Sequence, residues 1–368
     1  MPVQTPGRTP GRTTGRTPGQ EPVHVSRPAV VLPPYEVELD EILADIRTHH
    51  ADHPQLRRIL RIVGRTGVRS RHFTRPLDQV GQPEPIAERN SRTFADVCEL
   101  GERAARTVLA EQDVEPGRID CVVTSHSTGF AIPGLDVHLM NALRLRPDVR
   151  HIPVTQLGCA GGALALVRAV DHVRAHPGSL VLLVVAEALS TVYQHSDDSV
   201  EAMIYKVLFG DSGGAVLVGD APLGPGLAVQ DTWEYTLPDS TERYRLRVDG
   251  LGQHFDSTTE ALKSMGELVS PLLEWYRRSG RDTPDFWVAH TGGPRILNDL
   301  EEGVGCDRKL LQHSWDSLRE RGNLGGVAVL DVLDRLHADP PAPDASGVLI
   351  GLGPGFTAAA CRAVWRTG

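Results

Sequence analysis

The chain has 368 residues, 40% hydrophobic and 23% charged, a net charge of −9 and five cysteines. That length buries the core of one large α/β domain or of two smaller ones. The acidic balance excludes a general nucleic-acid binder, and no apolar run is long enough to span a bilayer.

Residues 5 to 20 are four tetrapeptides of the type TPGR, with almost nothing to bury, so residues 1–28 are expected to be a disordered tail. From Ala29, "AVVLPPYEV" reads as strand and loop. "LDEILADIRTHH", "LRRILRIVGRTG" and "TFADVCELGERAARTVLAEQ" carry apolar residues at helical spacing. "IDCVVTSH", "SLVLLVVAEAL" and "AVLVGD" are compact apolar runs, as strands covered on both faces require. A polar, strand-like middle, "DTWEYTLPDSTERYRLRVDG", precedes a helix near Glu260 to Arg278. The strand "DFWVAH", the helices "LLQHSWDSLRERG" and "GGVAVLDVLDRLH", and a last strand "GVLIGLGPG" complete an α/β pattern.

The two halves, 29–220 and 221–368, repeat a theme. A buried strand ends in His126 and, 33 residues later, a glycine-rich helix start carries Cys159; another ends in His290 and, 33 residues later, such a start carries Asn323. The pattern predicts an internal duplication with Cys159 and Asn323 at equivalent helix starts. A helix N-terminus favours a thiolate, although a lone buried cysteine is as readily inert. His290, at the exit of a buried strand, sits where open α/β sheets bind ligands, yet a single histidine is more often structural. Asn323 is either a helix cap or a donor to a developing oxyanion. Arg57, Arg58, Arg61 and Arg65 form a helical stripe, either merely solvated or a seat for phosphates. The five cysteines are scattered with no Cys-x-x-Cys pair, so no metal site and no disulfide framework is expected. The opening residues lack a signal-peptide pattern, which makes a cytoplasmic protein with free thiols the expectation.

In order along the chain come "IPGLDVHLM", "QLGCAGGALAL", "LFGDSGGAVLV", "WVAHTGGPRIL", "RGNLGGVAVL" and "GLGPGFT". Together, from about residue 30 to the C-terminus, they resemble the type III polyketide synthases, the chalcone-synthase-like family. The resemblance implies a thiolase fold, an internally duplicated five-layered α/β/α/β/α sandwich, assembled as a homodimer. It implies that Cys159 takes an acyl starter from coenzyme A and holds the growing chain. His290 would draw the thiol proton to give a thiolate–imidazolium pair. His290 and Asn323 would stabilise the enolate formed as a malonyl-CoA-type extender loses CO2. Phe209 would be the gatekeeper, Ser127, Ile132, Val192 and Gly325 would shape the cavity, and Arg57, Arg58, Arg61 and Arg65 would meet coenzyme A. No cofactor is implied beyond the coenzyme A thioesters, with an acyl carrier protein as the other candidate for starter delivery. The product expected is a cyclised pyrone or resorcinol.

Departures from the family pattern are Thr291 for a proline, Gly325 and Gly326 for small hydroxyl residues, and Ser212 for a glycine. The mix at Ser127, Ile132 and Val192 leans towards an aliphatic starter. Two rival readings share the fold: an initiating ketoacyl-acyl-carrier-protein synthase, and an acyltransferase or partner protein that does not decarboxylate.

Overall fold

The computed structural model describes residues 21–250 and 252–368, so the TPGR repeats lie outside the described residues. Strands β1 (Val23–Val25), β2 (Ala29–Val31) and β3 (Tyr35–Glu38) precede helices α1 (Leu39–His49) and α2 (Leu56–Val63). Next come β4 (Ser70–Phe73), α3 (Leu77–Val80), α4 (Ile86–Glu111), β5 (Cys121–Ser125), α5 (Leu135–Ala142) and β6 (Arg150–Pro153). Helix α6 (Gly161–Ala175), β7 (Val181–Glu187), α7 (Val200–Leu208) and β8 (Ser212–Gly219) close the first half. The second half has β9 (Gly226–Thr236), the hairpin β10 (Tyr244–Asp249) and β11 (Gly252–Ser257), α8 (Ser264–Arg277) and β12 (Phe286–Ala289). It ends with α9 (Pro294–Val304), α10 (Gln312–Arg321), α11 (Ala328–Ala338), β13 (Ser346–Gly353) and β14 (Thr357–Arg366).

The duplication is visible in the pairing. β5 runs parallel to β7 and β7 antiparallel to β8; β12 runs parallel to β13 and β13 antiparallel to β14. All residues of β5, β7, β12 and β13 are buried, which is why these segments read as unbroken apolar runs. Helix α6 is small and apolar nearly all round, the composition of a helix enclosed on every side. It packs with α11 between the strands of the two halves, sharing one core cluster. Helices α4 and α5 cover the outer face of the first half's strands, and α8 and α9 that of the second. The result is the five-layered sandwich.

Three expectations change. The ordered chain starts before Ala29: Val23 and Val25 are buried, and β1 pairs antiparallel with both β8 and β9. It therefore joins the strands of the two halves into one path, β12-β13-β14-β9-β1-β8-β7-β5-β6, with β2 added on β8. Three residues are too few to show an alternation, so the tail ends earlier than composition suggested. The last strand is β14, not the "GVLIGLGPG" strand; its many alanines gave a weak β signal. Finally, the two helix starts are equivalent in a different register. Gly158 (φ +53°) opens a 3-10 turn, Gly158–Ala160, ahead of α6; Gly325 (φ +60°) opens one, Gly325–Val327, ahead of α11. The counterpart of Cys159 is thus Gly326, and Asn323 lies outside its turn. The equal spacing was a coincidence laid over a real repeat. Where the helix starts meet, a Cβ on Gly162 would lie 1.9 Å from Gly326 O, so only glycine permits that contact.

Candidate active site

Cys159 sits in the 3-10 turn that opens α6, at the positive end of the helix dipole. His290 follows β12, its backbone N–H donating to Ile350 O of β13 at 2.9 Å. Asn323 lies between α10 and α11, and its backbone is clamped beside Phe209: its N–H donates to Leu208 O at 2.7 Å and its carbonyl accepts from Gly210 N at 3.1 Å. Thr291, where the family usually has proline, donates from Oγ1 to Gly322 O at 3.3 Å and so links the His290 and Asn323 loops.

The Asn323 side chain serves both roles left open by the sequence. Its Oδ1 accepts from Gly325 N at 2.9 Å, which satisfies the turn and fixes the amide orientation. Nδ2 is then the amide's available donor, 3.9 Å from Cys159 Sγ. Cys159, His290 and Asn323 line one cavity of about 320 Å3, together with Phe209, Tyr205, Tyr244 and Phe255. A second cavity of about 300 Å3 shares Cys159, Phe209, Phe255 and Pro354 with the first and adds Ser127, Leu189, Val192, Leu246 and Val248. The thiol thus stands where two apolar chambers meet. Phe209 forms the partition, stacked on Tyr205 at 5.0 Å and edge-on to Phe255 at 5.5 Å.

Burial bears on both members of the expected thiolate–imidazolium pair. Burial pushes the Cys159 thiol up to about 12, helped by the nearby Glu187, while the Asn323 contact opposes the rise. Burial holds His290 down to about 4. At rest each group is therefore favoured neutral, and a thiolate–imidazolium pair forms only if one proton passes from sulfur to imidazole. Among the described residues, His290 Nδ1 has no hydrogen-bond partner. Glu187, fully buried, accepts from Ser127 Oγ at 2.5 Å and is pushed up to about 7 by burial, which its hydrogen bonds only partly offset.

Of the other residues singled out in the sequence, Phe209, Ser127 and Val192 line the chambers. Ile132 lines neither chamber of this chain; in the single chain it is fully exposed, in the loop before α5. Gly325 is also outside both chambers, where a side chain would meet Glu187 and Leu189 rather than substrate. Arg65 reaches the rim of the first chamber beside Ile62, whereas Arg57, Arg58 and Arg61 are exposed along α2 without lining it. The sequence reading missed Tyr205, Tyr244, Phe255 and Arg295. A period-two pattern was available for part of this wall: Tyr244, Leu246 and Val248 alternate with charged residues along β10 and all face a chamber. Among the described residues no helix is long and apolar enough to cross a membrane.

Two family models match the chain: chalcone and stilbene synthases, N-terminal domain, over residues 40–222, and the C-terminal domain over 234–363. It is 34% identical over 344 residues to a 1,3,6,8-tetrahydroxynaphthalene synthase of Streptomyces griseus, covering 93% of this chain and 92% of that one. It is 30% identical over 342 residues to a phloroglucinol synthase of Pseudomonas fluorescens, covering 92% and 98%. Among solved structures, germicidin synthase from Streptomyces coelicolor, a type III polyketide synthase, superposes with a TM-score of 0.89 at 33% identity, covering 94% of this chain and 100% of that one.

Proposed function

The chain belongs to the chalcone and stilbene synthase family and is a type III polyketide synthase, and from that premise we propose how its own residues divide the reaction. Cys159 is the nucleophile. As an acyl thioester enters the first chamber, His290 accepts the thiol proton and the sulfur attacks the acyl carbon, expelling coenzyme A as its thiol. A malonyl thioester then occupies the same chamber with its carbonyl oxygen on Asn323 Nδ2 and the His290 ring. Loss of CO2 leaves an enolate at that oxygen, stabilised by donors already in place. The enolate carbon attacks the acyl–Cys159 carbon, the C–S bond breaks, and the thiolate is free to be loaded again. The chain's own residues supply each proton and donor in this scheme.

The observation that carries this reading is the meeting of Cys159, His290 and Asn323 on one apolar chamber. Leu189, Val192, Leu246 and Val248 in the second chamber favour an aliphatic starter over a polar one. Arg65 and Arg295 at the rim of the first are the basic groups we assign to the phosphates of coenzyme A. We further propose a homodimer, a cytoplasmic location and no cofactor beyond the thioester substrates. The test is to incubate the enzyme with malonyl-CoA and a series of straight-chain acyl-CoAs, following CO2 release and pyrone or resorcinol products by mass spectrometry. Cys159→Ala should remove the acyl-enzyme adduct while leaving the circular dichroism spectrum intact. Acyl transfer without CO2 release, or chain extension by Cys159→Ala, would overturn the assignment.

A further inference from the structure

Away from the chambers, α1 and the segment between β7 and α7 bring together three ligating side chains that the mechanism does not use. Asp45 and His49 lie one turn apart on α1, and His195 arrives from 150 positions beyond Asp45. His195 Nε2 is 3.0 Å from Asp45 Oδ2, and His49 Nε2 is 3.4 Å from Asp45 Oδ1. One donor atom from each residue falls within 4.8 Å of the other two. Tyr193 Oη donates to Asp45 Oδ2 at 2.5 Å, and the His195 backbone N–H donates to Gly81 O at 3.1 Å, so two of the three are held by groups behind them. The first orients the carboxylate, as the outer contacts of a metal ligand do, and the second fixes where the His195 backbone passes.

We propose that Asp45, His49 and His195 bind one divalent transition-metal ion of the zinc type. Two imidazoles and a carboxylate are the donor set that such ions favour. For ligands about 2.0–2.1 Å from a tetrahedral zinc, neighbouring donors stand about 3.3 Å apart, close to the separations already present. The His49 and His195 rings are stacked at 3.6 Å and 9°, so binding needs them to splay until both lone pairs converge. His49 has the freedom to do so: its side chain is 38% exposed, against 10% for Asp45, and it gives the ion its way in. The buried cation Lys206 lies over the Tyr193 ring, but its Nζ is engaged by His50 Nε2 at 2.8 Å rather than by Asp45.

The position gives the ion a structural consequence. From α1 the chain runs into α2, whose Ile62 and the following Arg65 form the rim of the first chamber, while Val192, just before Tyr193, lines the second. A metal here staples the rim to the wall without touching the reacting atoms.

The test uses the full chain freed of any affinity tag and treated with a chelator, at mildly alkaline pH. Titration with Co2+ should give visible absorption bands of a tetrahedral ion saturating at one per chain, and Zn2+ should displace them and raise Tm. His49→Ala, at the exposed corner of the trio, should weaken binding at least tenfold and abolish the Tm shift, while a His138→Ala control leaves both unchanged. A circular dichroism spectrum confirms that His49→Ala is folded. Absence of the bands, or binding undiminished in His49→Ala, overturns the proposal.

Discussion

Replacing Asn323 by alanine separates its two roles. The substitution removes Nδ2, the donor assigned to the malonyl oxygen, and Oδ1, which accepts from Gly325 N at 2.9 Å. Loss of one preorganised oxyanion donor costs about 10²–10³ in rate, roughly 2.7–4 kcal/mol of transition-state stabilisation. Loss of the acceptor leaves the buried Gly325 N–H unpaired, at about 1–3 kcal/mol of stability. For a chain of this size that is a fall in Tm of only a few degrees. The backbone clamp on Leu208 and Gly210 uses no Asn323 side-chain atom, so the chamber should keep its shape. Malonyl-CoA decarboxylation, measured as CO2 release, should therefore fall by two to three orders of magnitude. Acylation of Cys159, measured by intact mass after a brief exposure to acyl-CoA, should fall by less than tenfold. Equal losses in both steps would refute the assignment of Asn323 to the enolate.

His290→Gln should slow alkylation of Cys159 by iodoacetamide at neutral pH by more than tenfold, because nothing else assigned to the chamber takes the thiol proton; an unchanged rate, read by peptide mapping, removes His290 as the base. His337 supplies a pH prediction. Burial against Trp365 and its surroundings holds it down to about 4, below the ordinary 6.5. Between those values the unfolded chain binds the extra proton, so this group's contribution is full above 6.5 and is lost as pH falls towards 4. Other buried groups titrate in the same range, so the measurement is differential. The urea midpoint of His337→Phe should gain on that of the unsubstituted chain as pH drops through the window, and a pH-independent difference would count against a buried neutral imidazole.

Much of the fold was legible because buried parallel strands and amphipathic helices leave strong periodic signals. β5, β7 and β12 fall within the apolar runs, α1 and α2 within the helical ones, and α11 runs one residue past its segment. What escaped lacked a local signal. β1 is set by its partners on β8 and β9 rather than by its own three residues. β14 is alanine-rich, and its place follows from ten paired positions on β9. The site was legible in its polar members, whose glycine-rich surroundings mark a close backbone approach. Its apolar walls were not, since Tyr205 on α7 and Phe255 on β11 meet Phe209 only through tertiary packing. Ile132 and Gly325 lie outside both chambers of this chain, since position in a motif does not by itself say which way a residue faces. Of the Asp45–His49–His195 cluster only the i,i+4 pair on α1 is local in sequence; His195 lies 150 positions from Asp45, so nothing local joins it to them.

The strand β1 carries a consequence for how the molecule is made. It is synthesised well before its partners, since Val218 and Gly219 on β8 and Leu227 to Val229 on β9 emerge some two hundred residues later. Contacts of such long sequence separation close late and slowly. Until then both sheet edges stay open, an invitation to pairing with another nascent chain. A truncation that removes residues 21–28 should therefore damage folding yield and promote aggregation during refolding more than it lowers the activity of those molecules that reach the native state. The short N-terminal strand is the clasp that ends assembly.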